Sequence, residues 1–377
     1  MTNLKPPRWL RTTADQRFPE FPWNRLAPLW ETARSGRGRV VDLSVGAPVD
    51  PTPKVATDAL VAGADAPGYP PTEGTAPLRS AVVDYLRRRH GVGYVSMDMV
   101  LPTIGSKEAI AQLPTVLGLD GDDTVAFPDL GYPTYEIGVR SIQAKAHRYL
   151  DAVRVDTEGV AVMWVNSPSN PEGRTLTAAD LRTLVERARS TGTLVISDEC
   201  YLDFGWSAPA VSVLSPDVCD DDPSGLLVVC SLSKRSNLAG YRGAFLAGDP
   251  VLVSHLLEYR KHMGQMVPLP VQVAMTAALL DDDHVAAQRS RYLSRREILA
   301  PALAVAGFEV DHSDGGLYFW VRRSGEGCWQ LADWFAQRGI ICVPGEVYGA
   351  SGCSHVRLTI TATDEDISEV ARRLLAA

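Results

Sequence analysis

An α/β fold is what this 377-residue sequence predicts: a large domain around a mostly parallel sheet covered by helices, with a smaller α+β domain behind it. Three observations carry the prediction. From about Val100 onward, short apolar runs alternate with stretches of helical period, as in strands buried on both faces by crossover helices. After about Pro270 this alternation gives way to a long charged helical stretch and then an aromatic-rich strand. The length, finally, exceeds what one simple core organises. The division follows: residues 1–45 as an N-terminal arm and part of the smaller domain, 46–280 as the large domain, 281–377 as the small C-terminal domain.

Residues Met1 to Trp30 are rich in Pro, Arg and Trp and predict an extended arm that packs its aromatics elsewhere. Val40 to Val45 predicts a strand, leading into the proline-fixed loop Gly46 to Pro53. Leu78, Val82, Tyr85 and Leu86 fall on one helical face. Val100 to Thr103 predicts a strand that runs through Gly105-Ser106-Lys107 into a helix. Further strands are expected at Thr124 to Phe127, Val160 to Val165, Thr193 to Ser197 and Leu226 to Cys230. Between them, Thr177 with Asp180 three residues on marks a helix start, with Leu181, Leu184, Val185 and Ala188 as its buried stripe. His284 to Ala306 reads as a helix, Gly315 to Val321 as a strand, Trp329 to Arg338 as a helix and His355 to Ile360 as a strand. In the last helix Thr363 is the cap, acids fill the first turn, arginines the last, and Ile367, Val370, Ala371 and Leu374 form the apolar face.

Composition excludes several classes. The net charge of −8 and the dispersed basic residues argue against nucleic acid as a partner. The run Arg87-Arg88-Arg89 reads as a solvated helix face, and Asp220–Asp222 and Asp281–Asp283 as solvated loops. Six cysteines without Cys-x-x-Cys spacing, several in apolar runs, predict reduced thiols and no metal site. No stretch has membrane-spanning length and the first twenty residues lack an apolar signal core, so a cytoplasmic protein is expected.

Polar residues gather at the predicted strand ends, where open α/β sheets hold their chemistry. Lys234 follows the run Leu226 to Cys230, with Ser231 and Ser233 before it and Arg242 eight residues on. Alone it is a solvated loop lysine; in this setting it suits an amine that condenses with a carbonyl beside a phosphate. Gly105-Ser106-Lys107 opens a helix whose free N–H groups favour an anion, to which Ser231, Ser233 and Arg242 add donors. Arg357 points opposite to the apolar set of its strand and can take a carboxylate bidentately.

The segment Ser231-x-Ser233-Lys234-x-x-x-Leu238-x-Gly240-x-Arg242-Gly243 resembles the pyridoxal-phosphate lysine segment of class I/II aminotransferases, the fold-type I family. Asn170, Asp198, Tyr201, Ser231, Ser233, Lys234, Arg242 and Arg357 fall on that family's pattern in order, and the similarity runs from about Val40 to the C-terminus. The resemblance implies a seven-stranded sheet, pyridoxal 5′-phosphate as cofactor, amino acid and 2-oxo acid substrates, and a homodimer with shared active sites. It implies Asp198 against the ring nitrogen, Tyr201 and Asn170 as donors to the ring oxygen, and Tyr132 flat on the ring. It also implies Tyr69 on the neighbouring subunit's cofactor phosphate, and the backbone of Gly46, with Asn170 and Arg357, at the substrate carboxylate. Phe18 to Trp23, Leu43 to Pro51 and Gly68 to Thr75 are similar to actinobacterial N-succinyldiaminopimelate aminotransferases, which implies N-succinyl-LL-2,6-diaminopimelate as donor and 2-oxoglutarate as acceptor in lysine biosynthesis. Three alternatives stand beside it: an aspartate or aromatic aminotransferase, a cystathionine β-lyase-like enzyme, and a non-catalytic ligand-sensing module.

Overall fold

The structure, a computed structural model, describes residues 18–36 and 38–376. In chain order its strands are β1 (Val41–Asp42), β2 (Val100–Thr103), β3 (Thr124–Pro128), β4 (Lys145–Tyr149), β5 (Val162–Asn166), β6 (Leu194–Asp198), β7 (Leu226–Ser231), β8 (Ala244–Gly248), β9 (Glu309–Asp311), β10 (Tyr318–Arg322), β11 (Ile340–Ile341), β12 (Val343–Pro344) and β13 (His355–Thr359). Seven of them form one sheet in the order β2-β8-β7-β6-β5-β3-β4, in which β8 alone runs against its neighbours. All six residues of β7 are buried, because helices cover both faces of the central strands. A second sheet of four strands, β12-β13-β10-β9, is antiparallel, and β1 pairs with β11.

Three apolar cores hold these layers. On one face of the large sheet, Val82, Leu184 and Met275 bring in the helices Ala76–His90, Ala178–Thr191 and Leu269–Leu280. On the other, Ile110, Tyr135 and Leu256 bring in Ser106–Val116, Thr134–Ser141 and Pro250–Met263. The third core joins the two ends of the described chain: Leu26, Leu29, Val41 and Leu43 pack with Leu299, Trp320, Phe335, Leu358 and Leu374.

Local signals act where the sequence places them. Thr177 and Asp180 form a reciprocal capping box, and the Thr363 hydroxyl accepts from the Asp366 N–H. The predicted stripes of Ala178–Thr191 and Asp364–Leu375 are buried. Four expectations need correction. Residues 1–17 of the arm lie outside the described residues, but Pro22–Leu26 is a 3₁₀ turn and Ala27–Ser35 a helix. Proline sits in the first turn of each, where no N–H is needed, so it starts these helices instead of preventing them. The strand expected over Val40 to Val45 is cut to Val41–Asp42, where the Ser44 N–H and hydroxyl both donate to the Asp42 carboxylate and turn the chain. The arginine run is not simply a solvated face, since Arg88 pairs with Asp84 and Asp282, and Arg89 with Asp203. Nor are the aspartate runs merely solvated: Asp220 pairs with Arg182, and Asp282 also with Arg235.

Among the described residues no helix is long and apolar enough to cross a membrane, no cluster of His, Cys, Asp or Glu could hold a metal, and all six cysteines are free.

Candidate active site

Where the strand order reverses, between β3 and β5, the loops after β3, β5, β6 and β7 surround a cavity of about 250 Å³. Of the residues singled out from the sequence, Gly46, Ser106, Lys107, Tyr132, Asn170, Asp198, Tyr201, Ser231, Ser233, Lys234, Arg242 and Arg357 line it. Gly105 stands just behind. Tyr69 is not brought in; it is 96 % exposed on this chain.

Asp198 closes β6 at the floor of the cavity, buried and without an ion-pair partner among the described residues. Tyr135, stacked on Trp164 at 5.0 Å, donates its hydroxyl to Asp198 Oδ2 at 2.8 Å. Burial pushes the Asp198 carboxyl up, against the pull of the Cys200 donors, the Tyr135 hydroxyl and Lys234. A buried carboxylate that lacks a cation is suited to a protonated ring nitrogen.

Lys234 rises from the single helical turn Leu232–Arg235 that follows β7, and its Nζ donates to the Gly46 carbonyl. Burial lowers its pKa, with Arg357 and Arg242 adding repulsion, so the amine is more readily neutral and nucleophilic than a surface lysine. At one end of the cavity, Ser231 Oγ accepts from the Ser233 N–H and donates to Ser233 Oγ, which fixes both hydroxyls. Arg242, itself at φ 58°, lies so close to Gly105 that a Cβ there would stand 2.2 Å from the guanidinium. Its charge thus sits against the first turn of the helix Ser106–Val116, whose free N–H groups favour the same anion.

At the other end, Arg357 is buried on β13. Its guanidinium donates to Asn170 Oδ1 at 2.7 Å and to the Ser44 carbonyl, and packs 4.0 Å from the Tyr318 ring. Its buried Nε has no hydrogen-bond partner among the described residues, which suits it to a carboxylate oxygen. Asn170 therefore orients Arg357 through its oxygen and leaves its NH₂ group to the cavity. The hydroxyl of Tyr201 meets that of Tyr318 at 2.7 Å.

Sequence reasoning missed Tyr318, Tyr135, Asn166 and Trp23. Asn166 closes β5, donates to the carbonyls of Asp198 and Pro168, and accepts from the Asn170 N–H, stapling two loops of the site. Its place at a strand end was a usable signal. Trp23 comes from the arm, and nothing local in the sequence points it inward.

The family model of aminotransferase class I and II matches residues 38–374. This chain belongs to that family. As a class I/II aminotransferase it is similar to a probable aminotransferase of Mycobacterium tuberculosis, 52 % identical over 95 % of this chain and 85 % of that protein. It is also similar to the 4-dedimethylamino-4-oxo-anhydrotetracycline transaminase OxyQ of Streptomyces rimosus, 50 % identical over 95 % of this chain and 99 % of that one. Among solved structures, an aminotransferase from Neisseria meningitidis superposes with a TM-score of 0.86 at 28 % identity, over 97 % of this chain and 99 % of that one. The fold is that of the fold-type I aminotransferases, and the family works with pyridoxal 5′-phosphate on amino acids and 2-oxo acids. The cavity fits that cofactor: an unpaired buried carboxylate at the floor, an anion cradle of Arg242, Ser231, Ser233 and a helix N-terminus at one end, and an enclosed amine between them.

Proposed function

We propose that this aminotransferase moves the amino group of N-succinyl-LL-2,6-diaminopimelate to 2-oxoglutarate, as a homodimer with shared sites. The observation that carries the donor is a groove of about 830 Å³ that opens from the catalytic cavity, sharing Trp23, Val45, Lys107 and Tyr132 with it. Lys107 has no carboxylate partner among the described residues, whereas Arg25 in the same groove is paired with Glu346. The donor carries one carboxylate at the reacting carbon and two more towards its far end, so it needs one cation at the α-carboxylate and at least a second some way off. Arg357 and Lys107 supply them.

Pyridoxal phosphate, when bound, supplies an aldehyde for the amine and an electron-poor ring that takes up electrons when the substrate α-proton leaves. Asp198 would pair with the ring nitrogen and keep it protonated. Ser231, Ser233 and Arg242, with the N–H groups after Gly105, would hold the phosphate, and Tyr132 would be the aromatic neighbour of the ring. Tyr201 and the Asn170 amide would donate to the ring oxygen. Arg357 fixes the α-carboxylate together with the Gly46 backbone, which turns the α-hydrogen toward Lys234. Lys234 Nζ, when neutral and free, would be the base that takes that α-proton. The partner's copy of Tyr69 completes the phosphate site, consistent with its exposure on a single chain.

A donor panel tests the reading. Turnover with the succinylated donor should exceed that with aspartate or aromatic amino acids, and Lys234→Ala should abolish it. Lys107→Gln should raise KM for the succinylated donor about 10–100-fold, the loss of one charge-assisted contact, and leave monocarboxylic donors nearly unchanged. Robust aspartate turnover with none of the succinylated donor removes the assignment. One observation favours a second reading: the groove walls include Phe18, Phe21, Trp23, Ile137 and Val347, apolar enough for the 4-dedimethylamino-4-oxo-anhydrotetracycline in the name of the Streptomyces rimosus relative. Amination of such a ketone, with the diaminopimelate donor inert, would decide for it.

A further inference from the structure

Behind the lysine turn lies a buried ionic network that the chemistry above does not use. Arg235, the residue after Lys234, is 4 % exposed, and Asp203, two residues after Tyr201, is 7 % exposed. Arg235 Nε donates to Asp203 Oδ2 at 3.1 Å. Three more of its N–H groups are committed, with Nη1 on the Ala278 carbonyl at 2.9 Å and on Ser236 Oγ at 3.2 Å and Nη2 on Asp282 at 3.4 Å, and the Tyr85 ring lies 4.6 Å away. Asp203 in turn accepts from Tyr85 Oη at 3.0 Å and from Arg89 at 3.1 Å.

We infer that Arg235 and Asp203 are a positioning pair that clamps the two catalytic turns together from behind. β6 ends at Asp198 and the turn after it carries Tyr201; β7 ends at Ser231 and the turn after it carries Ser233 and Lys234. The lysine turn is four residues long, too short to hold its own geometry. Adjacent residues of a helical turn point in different directions, so Lys234 can face the cavity while Arg235 faces the network. A buried ion pair adds little net stability over an apolar pair of the same shape, because desolvation offsets the attraction. What it does fix is relative position, through directional bonds at both partners. Because the site chemistry needs Lys234 and Asp198 held to a fraction of an ångström, a clamp between their turns acts on the cofactor and not only on the fold.

The inference rests on Lys234 holding the cofactor, and the test separates the two. In the pyridoxal-loaded enzyme, Arg235→Met should shift the pH midpoint of the visible absorbance by about one unit or more, since the lysine leaves its place relative to Asp198. Release of pyridoxal phosphate should quicken at least tenfold, and kcat should fall at least tenfold with donor KM within threefold. Arg235→Lys, which keeps a charge against Asp203, should recover part of the midpoint shift. The double variant Arg235→Met with Asp203→Asn removes both buried charges and leaves Asp282 with Arg88 and only the half-exposed Arg89 without its carboxylate, so its Tm should return toward the parent while its midpoint stays shifted. The clamp is refuted if Arg235→Met and Asp203→Asn keep the parent midpoint and kcat, or if midpoint and Tm recover together in the double variant. Should Arg235→Met fail to fold, Arg235→Lys and Asp203→Asn carry the same comparison. A parent-like visible band in Lys234→Ala would remove the lysine assignment, and this inference with it.

Discussion

Single side chains in this enzyme are set by burial and by what they are denied. Arg357 spends two of its five N–H groups on the protein and keeps the others, the buried Nε–H among them, and only a planar fork can do both. Arg357→Lys should therefore raise KM for every amino donor by more than tenfold while the visible spectrum of the resting enzyme is unchanged. Two other buried groups make opposite contributions to acid stability. Burial depresses His90 from 6.5 to about 4, so its contribution is present above pH 6.5 and lost as pH falls through 4. Burial raises Glu199 from 4.5 to about 7, so its contribution is present below pH 4.5 and lost as pH rises through 7. Each amounts to about 3 kcal/mol. Between pH 4.5 and 6.5 they nearly cancel, so thermal unfolding should show His90→Gln losing stability with rising pH, relative to the parent, and Glu199→Gln gaining it. Lys234, Asp198 and Arg357 were legible in the sequence because each sits at a strand end or on a strand face. Tyr318 and Tyr135 were not, since their partners Tyr201 and Asp198 lie far along the chain and only the folded sheet joins them.

Among elements, the helix Ser106–Val116 and the loop after β7 meet at one glycine. Gly105 has φ 95°, and any Cβ there would strike the Arg242 guanidinium. Gly105→Ala should cost about 1–3 kcal/mol of strain, read as roughly 10–100-fold faster cofactor release with the apo-protein still folded. Most elements could be read from period and caps, as at Thr177 and Thr363. Strands β4 and β8 could not. In β4 only Tyr149 is buried and the rest reads as polar loop, because it is the charged edge of the sheet. β8 is short, Ala- and Gly-rich, and antiparallel, so neither composition nor the crossover pattern marks it.

For the whole molecule, the fold class and the sense of a large and a small part were legible because they follow from repeated local patterns. Subunit sharing is a different matter, as it depends on a surface rather than a period. Tyr69 is exposed and lines neither the catalytic cavity nor its groove, so in the proposed homodimer it would act through a partner. Light scattering should give twice the chain mass, and Tyr69→Phe should weaken cofactor retention although that residue is exposed in each chain. The third core carries a further consequence. Leu26, Leu29, Val41 and Leu43 find their packing partners at Leu299 to Leu374, a stretch that leaves the ribosome long after them. Until that stretch is made those side chains remain uncovered, and the nascent polypeptide presents a sticky segment to chaperones. Stop codons placed just before Asp364 should therefore yield aggregated product rather than a trimmed enzyme.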